Sequence, residues 1–171
     1  EPGGGSDVAG FKTTLKKEGD YWLVNGEKTY ISGTEECKEW GGGYFCSGYS
    51  DRSKAHRGMT GFYLPIDAPG VEVTKRFDDM GRMGISTGGF TMNNVKIPLE
   101  YQLGKEGEGF YITMEGFDAA RLLVATTCIG ASERALEIGI EYLKQREAFG
   151  SKLANFQGIQ FQLADKYAEL Q

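Results

Sequence analysis

The sequence predicts a β + α protein in which an antiparallel β-barrel or sandwich domain is followed by a helical hairpin that belongs to a helical bundle. From residue 11 to about residue 103, β-branched and aromatic residues are frequent and glycine interrupts them, as is typical of short strands. From about Gly107 onward, apolar residues recur at three- and four-residue steps, as is typical of helices. We therefore expect residues 1–105 to form the β domain and residues 106–171 to begin a helical bundle that is incomplete in this chain.

The first part of the chain contains a series of short candidate strands without helices between them. Such a series favours a sandwich or a barrel over alternating strands and helices. Asn25-Gly26 gives the clearest local signal, because a type I′ turn needs positive φ at both central residues and this pair accepts it. We expect a hairpin there, with Val24 facing Glu27. The candidate strands are residues 11–16, 21–24, 27–32, 43–49, 60–65, 72–77 and 90–97.

The second part of the chain predicts two helices that form an αα-hairpin. One apolar stripe indicates a long helix that runs to Gln145 or Arg146, and Gly150 lies where a helix would stop. A second stripe indicates a helix within residues 155–171. Two helices cannot cover each other fully, so we expect their outer faces to pack on further helices or on another subunit. The stripes are Leu122, Ala125, Ile129, Ser132, Leu136 and Ile140, then Ile159, Leu163, Ala164 and Tyr167.

The composition argues against several classes of function. A net charge of −5, without a stretch dense in lysine and arginine, disfavours nucleic acid as the main partner. No apolar run approaches a membrane span and no signal-peptide pattern is present, so we expect a cytoplasmic protein without a membrane partner. Cys37, Cys46 and Cys128 are widely spaced and odd in number, which favours reduced thiols. With His56 as the single histidine and no Cys-x-x-Cys motif, we expect no metal site.

The opening residues have the composition of a loop that cradles a ligand. The glycines at residues 3–5 allow positive φ and close approach of the backbone to a bulky ligand. Ser6 adds a hydroxyl group, and Asp7 adds a carboxylate that can cap a turn or a helix. On composition alone, a flexible Gly-Ser linker explains this segment as well.

The segments that follow the loop make a resemblance to one family visible. The opening run resembles the flavin-binding loop of the acyl-CoA dehydrogenases, whose pattern is Glu-Pro-Gly-x-Gly-Ser-Asp. Further blocks similar to this family follow in family order and span nearly the whole chain. They are Trp-Leu-Val-Asn-Gly-Glu-Lys-Thr-Tyr-Ile-Ser-Gly at 22–33, Val-Lys-Ile-Pro at 95–98, Phe-Asp-Ala-Ala-Arg at 117–121, Arg-Glu-Ala-Phe-Gly at 146–150 and Phe-Gln-Gly-Ile-Gln-Phe-Gln-Leu-Ala-Asp at 156–165.

The resemblance implies a fragment of a flavoenzyme. The family has an N-terminal helical domain, a middle β domain and a C-terminal bundle, of which this chain would hold the β domain and the start of the bundle. The implied activity is FAD-dependent α,β-dehydrogenation of an acyl-CoA thioester in fatty acid metabolism. Electrons would pass to an electron-transfer flavoprotein, and the parent would be a homo-oligomer, a dimer or tetramer, in the mitochondrial matrix if eukaryotic. The alternatives are an acyl-CoA oxidase or flavin monooxygenase that uses oxygen, a relative associated with nucleic acid, or an inactive fragment.

The resemblance also implies which residues contact the flavin. Residues two apart on a strand share a face at about 6.6–6.8 Å, which matches the width of a flavin. Tyr30 would pack on the ring system and Ser32 would hydrogen-bond its N5 atom. On the residues alone, a cross-strand aromatic and a turn serine explain this pair. The residues implied for the cofactor in this part of the chain are Gly3, Gly5, Ser6, Tyr30, Ile31 and Ser32.

Further residues are implied for a neighbouring subunit's FAD and for the substrate. Arg146 and Phe149, with Gln157 and Gln160, would contact the FAD of another subunit, where the guanidinium group suits a phosphate. An arginine that only stabilises a helix C-terminus is the alternative. The substrate residues would be Asp118 and Arg121, together with Ser6 of the opening loop, against the alternative of a surface ion pair worth under about 1 kcal/mol.

The chain departs from the family at positions that bear on catalysis. The family often carries arginine and serine where this chain has Met83 and Ile85, so contacts on the CoA side of the site can differ. Some members place the catalytic glutamate at the position of Ala120, which cannot remove a proton. We therefore expect no catalytic base within this chain and place the base beyond Gln171.

Overall fold

The computed structural model describes residues 1–74 and 76–171. They form two compact units, Glu1–Gly116 and Phe117–Gln171. The first unit contains the sheet and the first turns of a long helix, and the second contains the rest of that helix and the C-terminal helix. The prediction of a β part followed by helices is confirmed.

The first unit is built on a seven-stranded sheet with the strand order β5-β6-β2-β1-β3-β4-β7. β1 runs parallel to β3 through the pairing of Thr14 with Tyr49, and the other neighbours are antiparallel. The strands are β1 (Thr14–Glu18), β2 (Tyr21–Ser32), β3 (Gly43–Tyr49), β4 (Met59–Pro65), β5 (Val71–Val73), β6 (Thr87–Pro98) and β7 (Gln102–Leu103). Short 3₁₀ helices lie at Val8–Gly10, Arg52–Gly58 and Leu99–Tyr101.

The core of this unit joins strands from both halves of the sheet. Trp22 on β2, Phe90 on β6 and Phe62 on β4 are at most 1% exposed and belong to one cluster, so the sheet curls around them. Full burial of a large apolar side chain contributes about 1.5–3 kcal/mol. The indole nitrogen of Trp22 donates a hydrogen bond of 3.1 Å to Gln102, which satisfies its one polar group. Burial raises the pKa of the Cys46 thiol in this core to about 12.

The predicted hairpin at Asn25-Gly26 is wrong. β2 continues through this pair, and Val24 lies opposite Leu15 of β1 and Val95 of β6 rather than opposite Glu27. The register against β6 shifts between Val24 and Gly26, which marks a β-bulge. Glycine is needed there because a Cβ atom at residue 26 would lie 2.9 Å from the Cα atom of Thr13.

The hairpin turn lies at Gly19-Asp20 instead. Glu18 of β1 pairs directly with Tyr21 of β2, which leaves a two-residue loop with Gly19 at φ 63°. A Gly-Asp pair between two strand-forming segments is itself a hairpin signal, although Asn25-Gly26 fits the same rule better. As a result, the predicted strands 21–24 and 27–32 form the single strand β2.

The other predicted strands are confirmed with shifted ends, except in the segment 72–77. There the strand β5 covers only Val71–Val73, and Lys75 of the predicted strand lies outside the described residues. Helix α1 (Thr34–Trp40) was not predicted. It follows Gly33 at φ 76°, and the backbone N–H of Glu35 in its first turn donates to the Ser86 hydroxyl at 3.0 Å. The group that accepts from this turn therefore comes from a distant part of the chain.

The long and short helices of the bundle segment are confirmed. Helix α2 (Gly109–Gln145) has 37 residues, and helix α3 (Gln157–Leu170) follows it. Between them, β8 (Glu147–Ala148) and β9 (Ser151–Lys152) form a small unpredicted hairpin, followed by a 3₁₀ helix at Leu153–Asn155. In the second unit, the apolar side chains of Leu122, Leu123 and Val124 remain 63–71% exposed. No helix in the described ranges combines the length and apolar character needed to cross a membrane.

The close approach at Gly26 can be tested by filling it. Gly26→Ala should lower the free energy of unfolding by about 1–3 kcal/mol, the usual cost of overpacking. Gly81→Ala is the matched control, because a Cβ atom there meets nothing within 4 Å. Its effect should stay within about 0.5 kcal/mol. Urea unfolding monitored by circular dichroism measures both changes, and equal stability of the two variants would contradict the bulge geometry.

Candidate functional site

A second bulge in β2 turns Tyr30 toward solvent. Thr29 pairs with Gly89 and Ile31 pairs with Gly88 of β6, so Tyr30 is the extra residue between them. Its backbone lies at φ 56°, and its side chain is 76% exposed. A left-handed conformation at a bulky residue costs about 1–3 kcal/mol and is found preferentially at functional sites. The ring centroid lies 5.1 Å from that of Phe77, which supports the exposed ring from one side.

The bulge interrupts the regular alternation from which the sequence analysis placed Tyr30 and Ser32 on one face of a strand. Regular alternation along β2 is interrupted at Tyr30, so the two-residue spacing does not by itself put both side chains on one face. Ser32 instead returns to the ladder opposite Thr87, while Ile31 packs against the core. The exposed ring and the hydroxyl group therefore remain neighbours in sequence at the end of one strand.

Ser32 is held by two groups that the sequence analysis did not single out. The guanidinium group of Arg82 donates a hydrogen bond of 3.2 Å to its Oγ atom. The hydroxyl group of Tyr44 donates one of 3.1 Å to its carbonyl oxygen. Burial, together with the neighbouring Cys37, raises the pKa of Tyr44 to about 12, so this phenol stays protonated and donates.

The glycine loop, residues 1–7, borders a cavity. Gly4 N–H donates to the carbonyl oxygen of Glu1 at 3.1 Å, and Asp7 accepts from Gly10 N–H at 3.2 Å, so the loop is closed at both ends. A Cβ atom at Gly3 or Gly5 would meet nothing within 4 Å, and Ser6 is exposed. These glycines are therefore not needed for packing within the chain. The cavity measures about 500 Å³ and is lined by Glu1, Pro2, Gly3, Gly4, Asp7, Gly10, Lys12, Gly26, Glu27 and Thr91.

A buried ion pair joins this loop to β2. The ammonium group of Lys28 lies 2.7 Å from the carboxylate of Glu1, and the two side chains are 9% and 6% exposed. Thr13 also donates its hydroxyl group to this carboxylate at 2.6 Å. Although both charged residues lie within segments singled out from the sequence, neither was assigned a role. Their partners are distant in sequence, and no local pattern indicates the pairing.

The electrostatics of this pair favour the ionised carboxyl group. Burial alone opposes ionisation and raises the pKa of Glu1. Hydrogen bonds from the Lys12 amide, the Lys28 ammonium group and the Thr13 hydroxyl group outweigh burial, and the Lys28 charge adds to them. The pKa of the carboxyl group falls from 4.5 to about 2. The carboxyl group of Glu1 is therefore ionised at neutral pH.

The substrate residues predicted in α2 are close to each other and open to solvent. Asp118 and Arg121 form an ion pair of 3.5 Å, with side chains 75% and 69% exposed. The Nε atom of Arg121 also donates to the carbonyl oxygen of Phe117 at 3.3 Å. In the second unit, these groups are thus available to a ligand or to a further part of the protein.

The residues predicted for a neighbour's FAD gather at the end of α2 and the start of α3. The carbonyl oxygen of Arg146 accepts from Leu153 N–H at 2.9 Å. Phe149 stands at φ 54° in the turn of the small hairpin and is 97% exposed. Gln160 donates its side-chain amide to Ala154 at 2.7 Å, and Gln157 is exposed at the start of α3. The hairpin therefore presents an aromatic ring and an arginine at one end of this unit.

Two family models match this chain, and together they cover most of it. The model for the acyl-CoA dehydrogenase middle domain matches residues 1–95, and the model for the acyl-CoA dehydrogenase C-terminal domain matches residues 107–171. The chain belongs to the acyl-CoA dehydrogenase family. The family resemblance seen in the sequence blocks is thereby confirmed.

Individual acyl-CoA dehydrogenase relatives agree with this assignment. The caffeyl-CoA reductase–Etf complex subunit CarC of Acetobacterium woodii is 38% identical over 171 residues, which are 100% of this chain and 44% of that protein. The solved butyryl-CoA dehydrogenase of Megasphaera elsdenii matches with a TM-score of 0.92 and 36% identity, over 99% of this chain and 44% of that one. The prolyl acyl carrier protein oxidase AnaB matches with a TM-score of 0.91 and 28% identity over the same shares. The chain thus spans less than half the length of these relatives.

Among residues 1–74 and 76–171, no three or more histidine, cysteine, aspartate or glutamate side chains are grouped so that they could hold a metal ion.

The low pKa of Glu1 predicts how its contribution to stability depends on pH. A carboxyl group with pKa 4.5 when unfolded and about 2 when folded stabilises the protein above pH 4.5, and this stabilisation is lost as the pH falls toward 2. The loss of stability caused by Glu1→Gln should therefore be largest above about pH 5 and shrink below it. Urea unfolding at a series of pH values measures this, with the exposed Glu72→Gln as control. A pH-independent difference would contradict the charged pair.

Proposed function

We propose that the protein is an FAD-dependent acyl-CoA dehydrogenase that converts an acyl-CoA thioester to its α,β-unsaturated product. The observation that carries the proposal is the strained, exposed Tyr30 beside Ser32 at the end of β2, in a chain of this family. The Tyr30 ring contacts Phe77 on one side but remains 76% exposed, at a positive φ that costs a bulky residue free energy. It provides a flat surface on which a planar ring system can stack.

The residues in the first unit fit a flavin. Tyr30 would hold the ring system by its face, with Phe77 behind it at 5.1 Å. The open backbone at Gly3 and Gly5, with the exposed Ser6, would allow close contact with the cofactor. When bound there, FAD would supply a two-electron acceptor for the hydride that leaves the β carbon of the substrate.

Ser32 can donate a hydrogen bond to such a cofactor. Its Oγ atom already accepts from Arg82, so the hydroxyl hydrogen remains free to point to another acceptor. The Tyr44 phenol fixes the carbonyl of the same residue and thereby its backbone position. The chain thus presents a hydroxyl donor two residues after the exposed aromatic ring.

The carboxylates nearest the Phe-Asp-x-x-Arg block do not suit the role of base. Removal of a thioester α proton needs a carboxyl group whose pKa burial raises toward neutrality. Glu115 is exposed, Asp118 is 75% exposed and paired with Arg121, and residue 120 is alanine. Asp118 and Arg121 serve better in binding the CoA ester, and we place the base outside residues 1–171.

Oxygen is the alternative electron acceptor. The relative in Acetobacterium woodii is named as a subunit of an Etf complex, which supports an electron-transfer flavoprotein as the partner. The likeness to the oxidase AnaB, with a TM-score of 0.91, favours an oxidase as the second candidate.

Anaerobic mixing of the full-length protein with a panel of acyl-CoA thioesters should bleach the flavin. Reoxidation by electron-transfer flavoprotein but not by oxygen would select the dehydrogenase, and the reverse would select the oxidase.

Variants of the β2 bulge test the flavin contacts in the full-length protein. Ser32→Val should leave FAD bound but slow flavin reduction by about ten-fold or more, the scale of a lost hydrogen bond to the reacting group. Ser32→Thr keeps the hydroxyl group and should retain most of the rate. Tyr30→Ala should change the flavin absorption spectrum and weaken FAD retention. Stopped-flow reduction and spectra measure these effects, and an unchanged rate in Ser32→Val would refute its role.

The residues at the end of α2 test a shared site in a homo-oligomer. If Arg146 and Gln157 complete the FAD site of another subunit, Arg146→Ala should lower both FAD content and the oligomeric state, because a ligand at an interface stabilises the assembly. Lys144→Ala, in the last turn of α2 and two residues before Arg146, is the control. Size-exclusion chromatography with light scattering, together with flavin content, reports both. A monomer with full flavin content would contradict the shared site.

The position of the base gives a test on the 171-residue chain itself. With excess FAD and acyl-CoA under anaerobic conditions, this chain should not bleach the flavin, because Glu115 and Asp118 are exposed and residue 120 is alanine. The full-length protein serves as the positive control in the same assay. Bleaching by the chain would assign the base to a carboxylate within it, with Glu115 and Asp118 as the first candidates.

A further inference from the structure

The buried pair of Glu1 and Lys28 is more completely satisfied than any other ion pair in the described residues. The Lys28 ammonium group donates to the Glu1 carboxylate at 2.7 Å and to the carbonyl oxygen of Ser47 at 3.0 Å. It also lies 4.4 Å from the ring centroid of Phe11. The carboxylate accepts from the hydroxyl and amide groups of Thr13, at 2.6 and 3.3 Å, and from the Lys12 amide.

The pair connects segments that are far apart in sequence. Glu1 begins the glycine loop, whereas Lys28 lies two residues before the bulged Tyr30 on β2. Through Ser47 on β3, the contacts extend to Thr113 in α2, whose hydroxyl group lies 3.3 Å from that of Ser47. The loop, β2, β3 and the start of α2 therefore meet in one polar network inside the first unit.

A buried ion pair of this kind acts mainly through geometry. The desolvation of two charges offsets most of their attraction, so apolar residues of similar size can stabilise a fold equally well. The pair adds orientational specificity, because its hydrogen bonds are all satisfied only when the loop and β2 take one relative position. The loop needs such an anchor, since its three successive glycines, residues 3–5, have no side chains to hold it and lose much conformational freedom on ordering.

We propose that Glu1 and Lys28 are positioning residues that fix the glycine loop relative to the Tyr30 bulge before FAD binds. This inference rests on the proposed function, because FAD is the ligand that the two segments would share. The pair itself does not touch the cofactor in this proposal. It removes part of the ordering that the loop would otherwise undergo on binding.

The first test needs no cofactor. In the full-length apoprotein, Glu1→Gln should increase hydrogen exchange in the peptide that contains residues 1–13, where the amides of Gly4, Lys12 and Thr13 are held, and leave β4 unchanged. Glu18→Gln makes the same change in the exposed Lys16–Glu18 pair and serves as the matched control. Unchanged exchange in Glu1→Gln would overturn the anchoring role, whether or not FAD binds.

The second test measures FAD affinity of the same proteins by titration of the apoprotein. Glu1→Gln and Lys28→Met should each raise the FAD dissociation constant by about ten-fold or more, because freeing even one loop residue that the ligand must reorder has an effect of this size. The double variant should be little weaker than either single one, and Lys28→Arg should recover part of the affinity. The control Glu18→Gln should bind like the parent.

The outcomes separate the inference from the proposed function. A parent protein that does not bind FAD refutes the proposed function, while the exchange experiment still decides on the anchor. Folded variants that bind FAD as tightly as the parent overturn the positioning role. If Lys28→Met fails to fold, the near-isosteric Glu1→Gln decides alone, and a lowered melting temperature with unchanged affinity and exchange counts against the proposal.

Discussion

The pairing of β2 with β6 is the constraint on which the rest of the first unit depends. Both strands are twelve residues long, and the buried Trp22 and Val24 on β2 pair with the buried Ile97 and Val95 on β6. Two register shifts divide this pairing into segments, one next to Gly26 and one at Tyr30. Between the shifts, the side chain of Lys28 is buried in the protein. At the second shift, the ring of Tyr30 is exposed to solvent. The same ladder therefore supplies part of the core, a buried charge and an exposed aromatic ring.

The spacing of apolar residues and the composition of each segment predicted most of the helices and strands, because both signals are local in sequence. Strands β3 and β4 and both long helices follow from alternation, β-branched residues and helical stripes within each segment. The bulge at Gly26 could not be predicted in this way, since Asn25-Gly26 has the sequence of a turn and the deciding contact is with Thr13 on another segment. Helix α1 escaped prediction for a similar reason, as Ser86 contacts its first turn from 51 residues away.

The candidate site shows the same division between local and distant information. Tyr30 and Ser32 could be singled out because their block resembles a family pattern. Neither the positive φ of Tyr30 nor the hydrogen bond from Arg82 to Ser32 could be inferred from the residues of that block. The link between Glu1 and Lys28 spans 27 residues and depends on the completed sheet. Sequence patterns thus singled out Tyr30 and Ser32 as candidate site residues, whereas the groups that contact them or connect the site segments became visible only through the fold.

The buried thiol in the core has a consequence for handling and for oxidative chemistry. With its pKa raised by burial to about 12, the Cys46 thiol stays protonated near neutral pH, although the nearby Lys28 charge favours the anion. Peroxide and alkylating reagents attack the thiolate, so they have almost nothing to attack inside the sheet. Cys128, by contrast, lies exposed on α2. Cys37 in α1 is half-buried, so a fluorescent or spin label is directed to the long helix once Cys37 has been replaced.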